Sequence, residues 1–297
     1  MEMRPFGHTD MRVSALGFGG SEIGAERDAG TVRTMLESAL DAGLNVVDTA
    51  ACYGLSEELI GAALAHRRHD FYIFTKCGHA SGLATPDWDA ATIRDSLDRS
   101  LARLQTDYID LIQLHSCDVA TLDRGDAVDQ LLRAQEAGKV RYVGYSGDNA
   151  AALRAVESGQ FDALQTSVNI ADQSVLDAVI PLAHTRGMGI IAKRPVANVA
   201  WQHETLPEDA YGFPYWKRLQ TLRYPFTTGP VEEAVATALR FTLSVPGVAT
   251  AIVGTRTVGR WQQNAAYAAR GALDPDVYAE IRAVWKAAAD ADWTAET

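Results

Sequence analysis

The chemistry-bearing residues of the first half of the chain fall in three short motifs. Asp48 and Tyr53 stand five residues apart in DTAACYG, Lys76 lies in FTKCG, and His115 lies in IDLIQLHS. A carboxylate, a phenol, an amine and an imidazole brought to one place can move a proton. A lysine withdrawn from water needs a carboxylate partner or it loses its charge, and Asp48 is the candidate. An ammonium beside a phenol favours the phenolate, so Lys76 is expected to draw the Tyr53 pKa below its usual ~10 and make it a usable proton donor near neutral pH. His115 can orient a carbonyl oxygen or join the relay. Taken singly, each has an ordinary structural use: a turn cap, a core phenol, a surface lysine, a satisfied core histidine. Their joint occurrence at the ends of three successive apolar runs carries the functional reading.

Those runs belong to a regular series. Apolar stretches at 13–20, NVVDTA, FYIFTKCG, YIDLIQLH, VRYVGYSG, DALQTSVN, GIIAKRPV and ATAIVGT alternate with amphipathic helical patterns. In the first helix, Val32, Met35, Leu36, Ala39 and Leu40 form one stripe, and Gly43 ends it. Strands buried on both faces read as continuous apolar runs, and strict strand–helix alternation implies parallel strands. Eight such units predict one α/β domain over 1–297, a (β/α)8 TIM barrel with an extra C-terminal helix, DPDVYAEIRAVWKAAAD, and a long irregular loop after strand 7. The competing open doubly wound sheet calls for a GxGxxG turn after its first strand; GFGG at 17–20 does not supply one. A barrel stages its function at the carboxyl ends of the strands, where the four residues lie. Alternation puts Tyr72, Phe74 and Lys76 on one strand face, so Lys76 can point into the barrel mouth.

With these motifs and their spacing the chain resembles the aldo-keto reductases over nearly its whole length. The resemblance implies an NAD(P)H-dependent oxidoreductase reducing an aldehyde or ketone, or oxidising an alcohol or sugar. Tyr53 would be the general acid–base, Asp48 and Lys76 its electrostatic support, and His115 the substrate-orienting group. For the cofactor it implies Gly20 after the first strand, with Ser146 and Gln165 holding the nicotinamide amide. The family's Asn is replaced by Gly147, with Asp148 or Asn149 as substitutes. Lys193 stands where many members stack an aromatic on the nicotinamide, and Arg194 is placed to meet the pyrophosphate. In IVGTRTVGRWQQNAA, Gly254 and Thr255 match a phosphate loop, and Gln263 and Asn264 an adenine reader. Arg260 matches a 2′-phosphate contact, and Arg256 substitutes for the lysine that many members carry at 254. NADP(H) is therefore expected, with NAD(H) as the alternative.

Composition bounds the remaining possibilities. Asp and Glu total 38 against 27 Lys and Arg, a net charge of −11 that repels nucleic acid and anionic membranes. No run has membrane-spanning length and none at the start has signal-peptide length. Three cysteines do not make a disulfide framework, so a reducing, cytoplasmic setting is expected. Cys52, Cys77 and Cys117 with His115 offer a zinc set, but they lack CxxC spacing and alternation turns Cys77 away from Lys76, so no metal is expected. The aromatic segment 197–229 is expected to wall the substrate through Trp201, Tyr215 and Trp216, or else to cover the barrel's outside or meet another subunit. The short chain after Lys286 leaves little for a C-terminal pocket wall. Two other functions stand beside the reductase: a cofactor-holding regulatory partner subunit without turnover, and a barrel lyase using Lys76 as a Schiff-base amine. The substrate and the oligomeric state are not encoded in any of these motifs.

Overall fold

Among the described residues ten strands follow one another: β1 (Met3–Pro5), β2 (Arg12–Ser14), β3 (Leu16–Gly19), β4 (Val46–Asp48), β5 (Tyr72–Cys77), β6 (Ile109–His115), β7 (Val140–Ser146), β8 (Ala163–Ser167), β9 (Gly189–Lys193) and β10 (Val248–Gly254). The structure, a computed structural model, describes residues 1–26, 28–290 and 292–296. Among these, β3 to β10 pair in parallel, and β10 meets β3 to close the barrel. This is the expected (β/α)8 architecture, with the helix Pro275–Ala288 added at the C-terminal end.

The helices form where the patterns placed them. Asp28 caps Ala29–Asp41 by accepting from the Gly30 amide, and Val32, Met35, Leu36, Ala39 and Leu40 turn to the core. In SVLDAVIPLAHTRG, which has the composition of a helix throughout, only Val179–Thr185 is helical. Pro181 accounts for this, because a proline deeper in a helix removes a hydrogen bond and clashes with the preceding turn. The segment 197–229, expected to be irregular, contains a ten-residue helix, Phe213–Leu222, with Pro214 in its first turn.

The first apolar run is not one strand. It divides at Ala15 into β2, which pairs antiparallel with β1, and β3, which enters the barrel. The β1–β2 hairpin closes the amino-terminal end of the barrel. Phe6, Met11 and Val13 are buried there against Val46, Phe74, Leu111, Ala163, Ile191 and Ala249. Phe6 lies 5.2 Å from Phe74 between ring centroids, and a β-carbon at Gly189 would come within 2.4 Å of the Phe6 ring. Glycine at 189 makes room for the plug, and full burial of such a side chain contributes about 1.5–3 kcal/mol.

Alternation along the strands then places the functional groups. Val46, Phe74 and Leu111 belong to the apolar lower layer, and two residues further on Asp48, Lys76 and Gln113 form a polar layer above it. The register continues through His115, Ser146 and Gln165, which stand side by side on β6, β7 and β8.

Candidate active site

The centre of the polar layer is an ion pair. Lys76 Nζ donates to Asp48 Oδ1 at 2.5 Å and to the Thr49 carbonyl at 2.8 Å, and both Lys76 and Asp48 are 1% exposed. Asp48 Oδ2 accepts from Gln165 Nε2 at 2.7 Å and from Gln113 Nε2 at 3.5 Å. Ser146 Oγ in turn donates to Gln165 Oε1 at 2.9 Å. Burial works to lower the Lys76 pKa, but Asp48 and Tyr53 outweigh it, and the ammonium is held above the usual lysine value. Gly20 supports Asp48 from behind: its amide donates to the Asp48 carbonyl at 2.7 Å, and a β-carbon there would lie 2.9 Å from that oxygen.

Tyr53 stands over this pair on the turn that follows β4. The Lys76 ammonium lies 5.0 Å from the centroid of its ring. The expectation of a lowered phenol pKa is corrected: burial raises it above the ordinary value, and Lys76 offsets this only in part. His115 meets Tyr53 edge-on at 5.7 Å and His79 at 5.0 Å between ring centroids. Burial, followed by Lys76 and His79, holds the His115 pKa well below 6.5, so the imidazole is neutral at pH 7. Its Nδ1 lies 3.4 Å from Cys52 Sγ. A thiol donating there leaves the ring proton on Nε2. Trp88 Nε1 donates to the His115 carbonyl at 3.0 Å and fixes the strand end.

A cavity of about 550 Å³ opens from these groups along the carboxyl rim. Asp48, Tyr53, His115, Ser146, Gln165 and Lys193 line it together with Gly254, Thr255, Arg260 and Asn264. Arg194 also lines it, whereas Gly20, Arg256 and Gln263 are not among the lining residues. Neither substitute for the family's Asn faces the cavity. Asp148 is buried, accepting from Thr166 Oγ1 and the Ser167 amide and pairing with Lys193 Nζ at 2.7 Å. Asn149 exchanges hydrogen bonds with the Ala295 backbone. Glycine at 147 has its own cause, since a β-carbon there would lie 2.4 Å from the Tyr145 hydroxyl, which donates to the Cys117 carbonyl.

The Lys193–Asp148 pair fixes the end of β9. Burial lowers the Lys193 pKa, Asp148 opposes this and Arg194 adds to it; Asp148 is itself held below the usual carboxylate range, chiefly by Lys193 against its burial. Arg194 is turned to Ser167 Oγ at 2.7 Å, the Tyr211 hydroxyl at 2.5 Å and the Glu296 carbonyl. Ala197, Asn198 and Val199 follow in left-handed backbone, φ +45°, +52° and +54°, and Asn198 Nδ2 is buried without a hydrogen-bond partner. Asn198 and Val199 both line the cavity. An unpartnered buried donor and a strained backbone, neither signalled by the sequence, are features of a site built for a ligand.

The expected substrate wall is corrected. Tyr215 is fully buried with its hydroxyl 3.5 Å from Asp172, Trp201 packs on the core, and Trp216 Nε1 donates to the His203 carbonyl. None of the three lines the cavity, and Tyr211 does so instead. The C-terminal end contributes more than its length suggested. Asn149, Arg194 and Arg218 bond to the backbone of Ala295, Glu296 and Thr294, and the Gly212 amide donates to Glu296 Oε1. Cys77 and Cys117 are buried and Cys52 half-buried; among the described residues no group of three or more His, Cys, Asp or Glu is arranged to hold a metal. No helix among them is long and apolar enough to cross a membrane.

A lysine–carboxylate pair, a phenol and a neutral imidazole gathered at the carboxyl rim define an enzyme of the (β/α)8-barrel class. A sequence model of the aldo/keto reductase family matches residues 15–286, and the chain belongs to that family. It is similar to L-galactose dehydrogenase of Arabidopsis thaliana, 28% identical with 99% of this chain and 97% of that protein covered. D-threo-aldose 1-dehydrogenase of a Pseudomonas species is 29% identical, with 87% and 90% covered. Among solved structures, the holo form of an aldo-keto reductase from Bacillus halodurans superposes with a TM-score of 0.84 at 28% identity, covering 99% of each chain. The chain is thus a nicotinamide-dependent oxidoreductase acting on small molecules.

Proposed function

We propose that the protein interconverts a carbonyl compound and its alcohol, with Tyr53 as the proton donor and acceptor, and that its substrate is a small polyhydroxy compound such as an aldose. The observation that carries the chemistry is the stack of the Tyr53 ring over a buried, charged Lys76 that is held by Asp48. The names of the two dehydrogenase relatives support the sugar. The cavity fits a nicotinamide dinucleotide: its lining joins the proton-transfer residues to Thr255, Arg260 and the buried Asn264 amide. Ser146, Gln165, Lys193 and Asn198 would hold the nicotinamide half. The cofactor supplies or accepts the hydride when bound.

The chain's own groups do the rest. The neutral His115 donates from Nε2 to the substrate oxygen and orients it beside the Tyr53 hydroxyl. Tyr53 gives its proton to that oxygen in reduction and takes it back in oxidation, and the Lys76 ammonium stabilises the phenolate left behind. The raised phenol pKa keeps Tyr53 protonated and ready to donate. Arg260 offers a cation to an adenosine 2′-phosphate, the ground for expecting NADP(H), while the Glu22 carboxylate lines the same cavity and opposes it.

The test is single-turnover reduction and oxidation with a panel of aldehydes and aldoses, comparing wild type with Tyr53→Phe under saturating dinucleotide. General acid catalysis contributes ~10²–10⁴-fold, and a loss of that size with unchanged dinucleotide binding is expected. Wild-type rates in Tyr53→Phe would refute the assigned proton donor, and no turnover of any carbonyl by the wild type would leave a cofactor-holding subunit. Borohydride trapping of substrate on Lys76 would instead indicate a Schiff-base enzyme.

A further inference from the structure

A neutral imidazole has one proton for two nitrogens, and the nitrogen that carries it decides whether His115 donates to a substrate oxygen or only accepts. The turn after β4 meets the ring with two consecutive side chains. Tyr53 stands edge-on to it, and Cys52 Sγ lies 3.4 Å from Nδ1. That thiol is the one hydrogen-bond partner of the His115 ring among the described residues. The turn is fastened to the barrel: the Ala51 amide donates to the Lys76 carbonyl at 3.1 Å, and Arg103 Nη1 donates to the Ala51 carbonyl at 3.3 Å. Trp88 holds the His115 carbonyl, and His79 packs on the ring.

A thiol and an imidazole at this distance have two arrangements open to them. A thiolate–imidazolium pair would make Cys52 a nucleophile, and a neutral pair makes it a hydrogen-bond donor. The surroundings select the neutral pair. Burial pushes the Cys52 thiol up, and Lys76 offsets this only in part. Burial, followed by Lys76, His79, Lys193 and Arg194, pushes the imidazole down. The proton therefore stays on sulfur, and a protonated thiol facing Nδ1 has the ring lone pair to donate to. The ring proton is left on Nε2, which has no protein partner among the described residues.

We propose that Cys52 is a positioning residue: its thiol donates to His115 Nδ1 and holds the imidazole in the tautomer that presents an Nε2 proton to the substrate oxygen. The inference rests on the reading of His115 as the substrate-orienting group. Without the thiol, part of the population carries its proton on Nδ1 and offers the substrate a lone pair where a donor is needed. A net hydrogen bond of this kind shifts an equilibrium by up to about tenfold.

The test uses the full chain with isotopic nitrogen in its histidines, as wild type, Cys52→Ser and Cys52→Ala, with His115→Asn to assign the ring signals. Nitrogen chemical shifts report the tautomer without substrate or dinucleotide, and single-turnover reduction of an aldehyde reports its effect on the reaction. Wild type is expected to carry the proton on Nε2. Cys52→Ala should mix the tautomers and slow the single turnover roughly five- to tenfold with unchanged dinucleotide affinity. It should also raise the acid limb of the pH–rate profile, because Nδ1 is then free to take a second proton. Cys52→Ser keeps a donor and should recover the rate to within about twofold of wild type. A wild-type ring protonated on Nδ1, or a Cys52→Ala protein with the wild-type tautomer and rate, would overturn the role of Cys52 and leave the proton-transfer site standing. Equal rate losses in both variants without a change of tautomer would make Cys52 a packing residue and overturn it as well. If the tautomer moves but the wild type turns over no carbonyl, the reaction reading fails and takes the positioning role with it.

Discussion

Replacing Lys76 by methionine tests the centre of the site through stability, independently of any substrate. The substitution keeps the length of the side chain and removes the ammonium that lies 2.5 Å from Asp48 Oδ1. Asp48 is then left 1% exposed with two amide donors, Gln165 at 2.7 Å and Gln113 at 3.5 Å. Breaking a buried pair from one side costs about 3–5 kcal/mol, and the surviving amide bonds place this case near ~3 kcal/mol. At roughly 2 °C per kcal/mol for a chain above 150–250 residues, the melting temperature should fall by about 6 °C. Asp48→Asn alone strands the ammonium and should cost a similar amount. The double variant carries neither charge of this pair, and its cost should fall well below the ~6 kcal/mol sum of the single ones, because the two residues share one interaction. Urea unfolding followed by tryptophan fluorescence gives all three values. A Lys76→Met protein within about 1 kcal/mol of wild type, or a double variant at the full sum, would refute the claim that the pair is mutually required.

Other consequences can be measured directly. His115 has a pKa held well below 6.5, so the unfolded chain takes up its proton first as the pH falls; the stability contribution is present above pH 6.5 and is lost below it, and His115→Asn should flatten that acid limb in urea titrations. Asp172 has the opposite sign: burial raises its carboxyl to about 6, so its stabilising neutral form is present below the usual carboxylate pKa and lost as the pH rises through 6. Asp172→Asn should therefore gain stability relative to wild type between pH 4 and pH 7, and a constant difference across that range would count against the assignment. Gly20→Ala places a methyl group 2.7 Å from Ser56 Oγ and 2.9 Å from the Asp48 carbonyl; turnover should drop about tenfold with the melting temperature shifted by only a few degrees, and unchanged turnover would show that Asp48 tolerates displacement. Arg260→Ala should weaken NADP+ by roughly ten- to hundredfold and NAD+ far less, and equal losses would mean that Arg260 does not meet the 2′ position.

The barrel and the four residues at its rim were legible because strand alternation fixes direction as well as identity. Once Phe74 is inward, Lys76 must be, and the same rule applied to β6 would have found Gln113 two residues before His115. The division of the first run was hidden because the chain passes from β2 to β3 at Ala15 without a glycine or proline to mark it, whereas the β1–β2 turn carries Pro5 and Gly7. Residues whose direction depends on irregular backbone escaped: Trp201, Tyr215 and Trp216 have the composition of a wall, but the Phe213–Leu222 helix faces Tyr215 to Asp172 and leaves Tyr211 at the cavity. The phenol pKa went the other way because charge pairing is visible in residue types, whereas the depth of burial that opposes it is not.

The hairpin that floors the barrel ties the beginning of the chain to its later parts. Arg4 Nη1 donates to the carbonyls of Leu243 and Val248, and the His8 amide donates to the carbonyl of Gly187. On a ribosome the first of these partners emerges long after residues 3–14, and the last only when β10 has been made. Until then Phe6, Met11 and Val13 have no complete surface to cover, and the interior of the unclosed sheet stays wet. Complete burial of the floor beneath Phe74 and Leu111 therefore requires strands from the whole length of the chain, Ala249 of β10 included. A chain ending before Val248 would lack one of the acceptors that hold Arg4 and one wall of the surface that covers Phe6, Met11 and Val13.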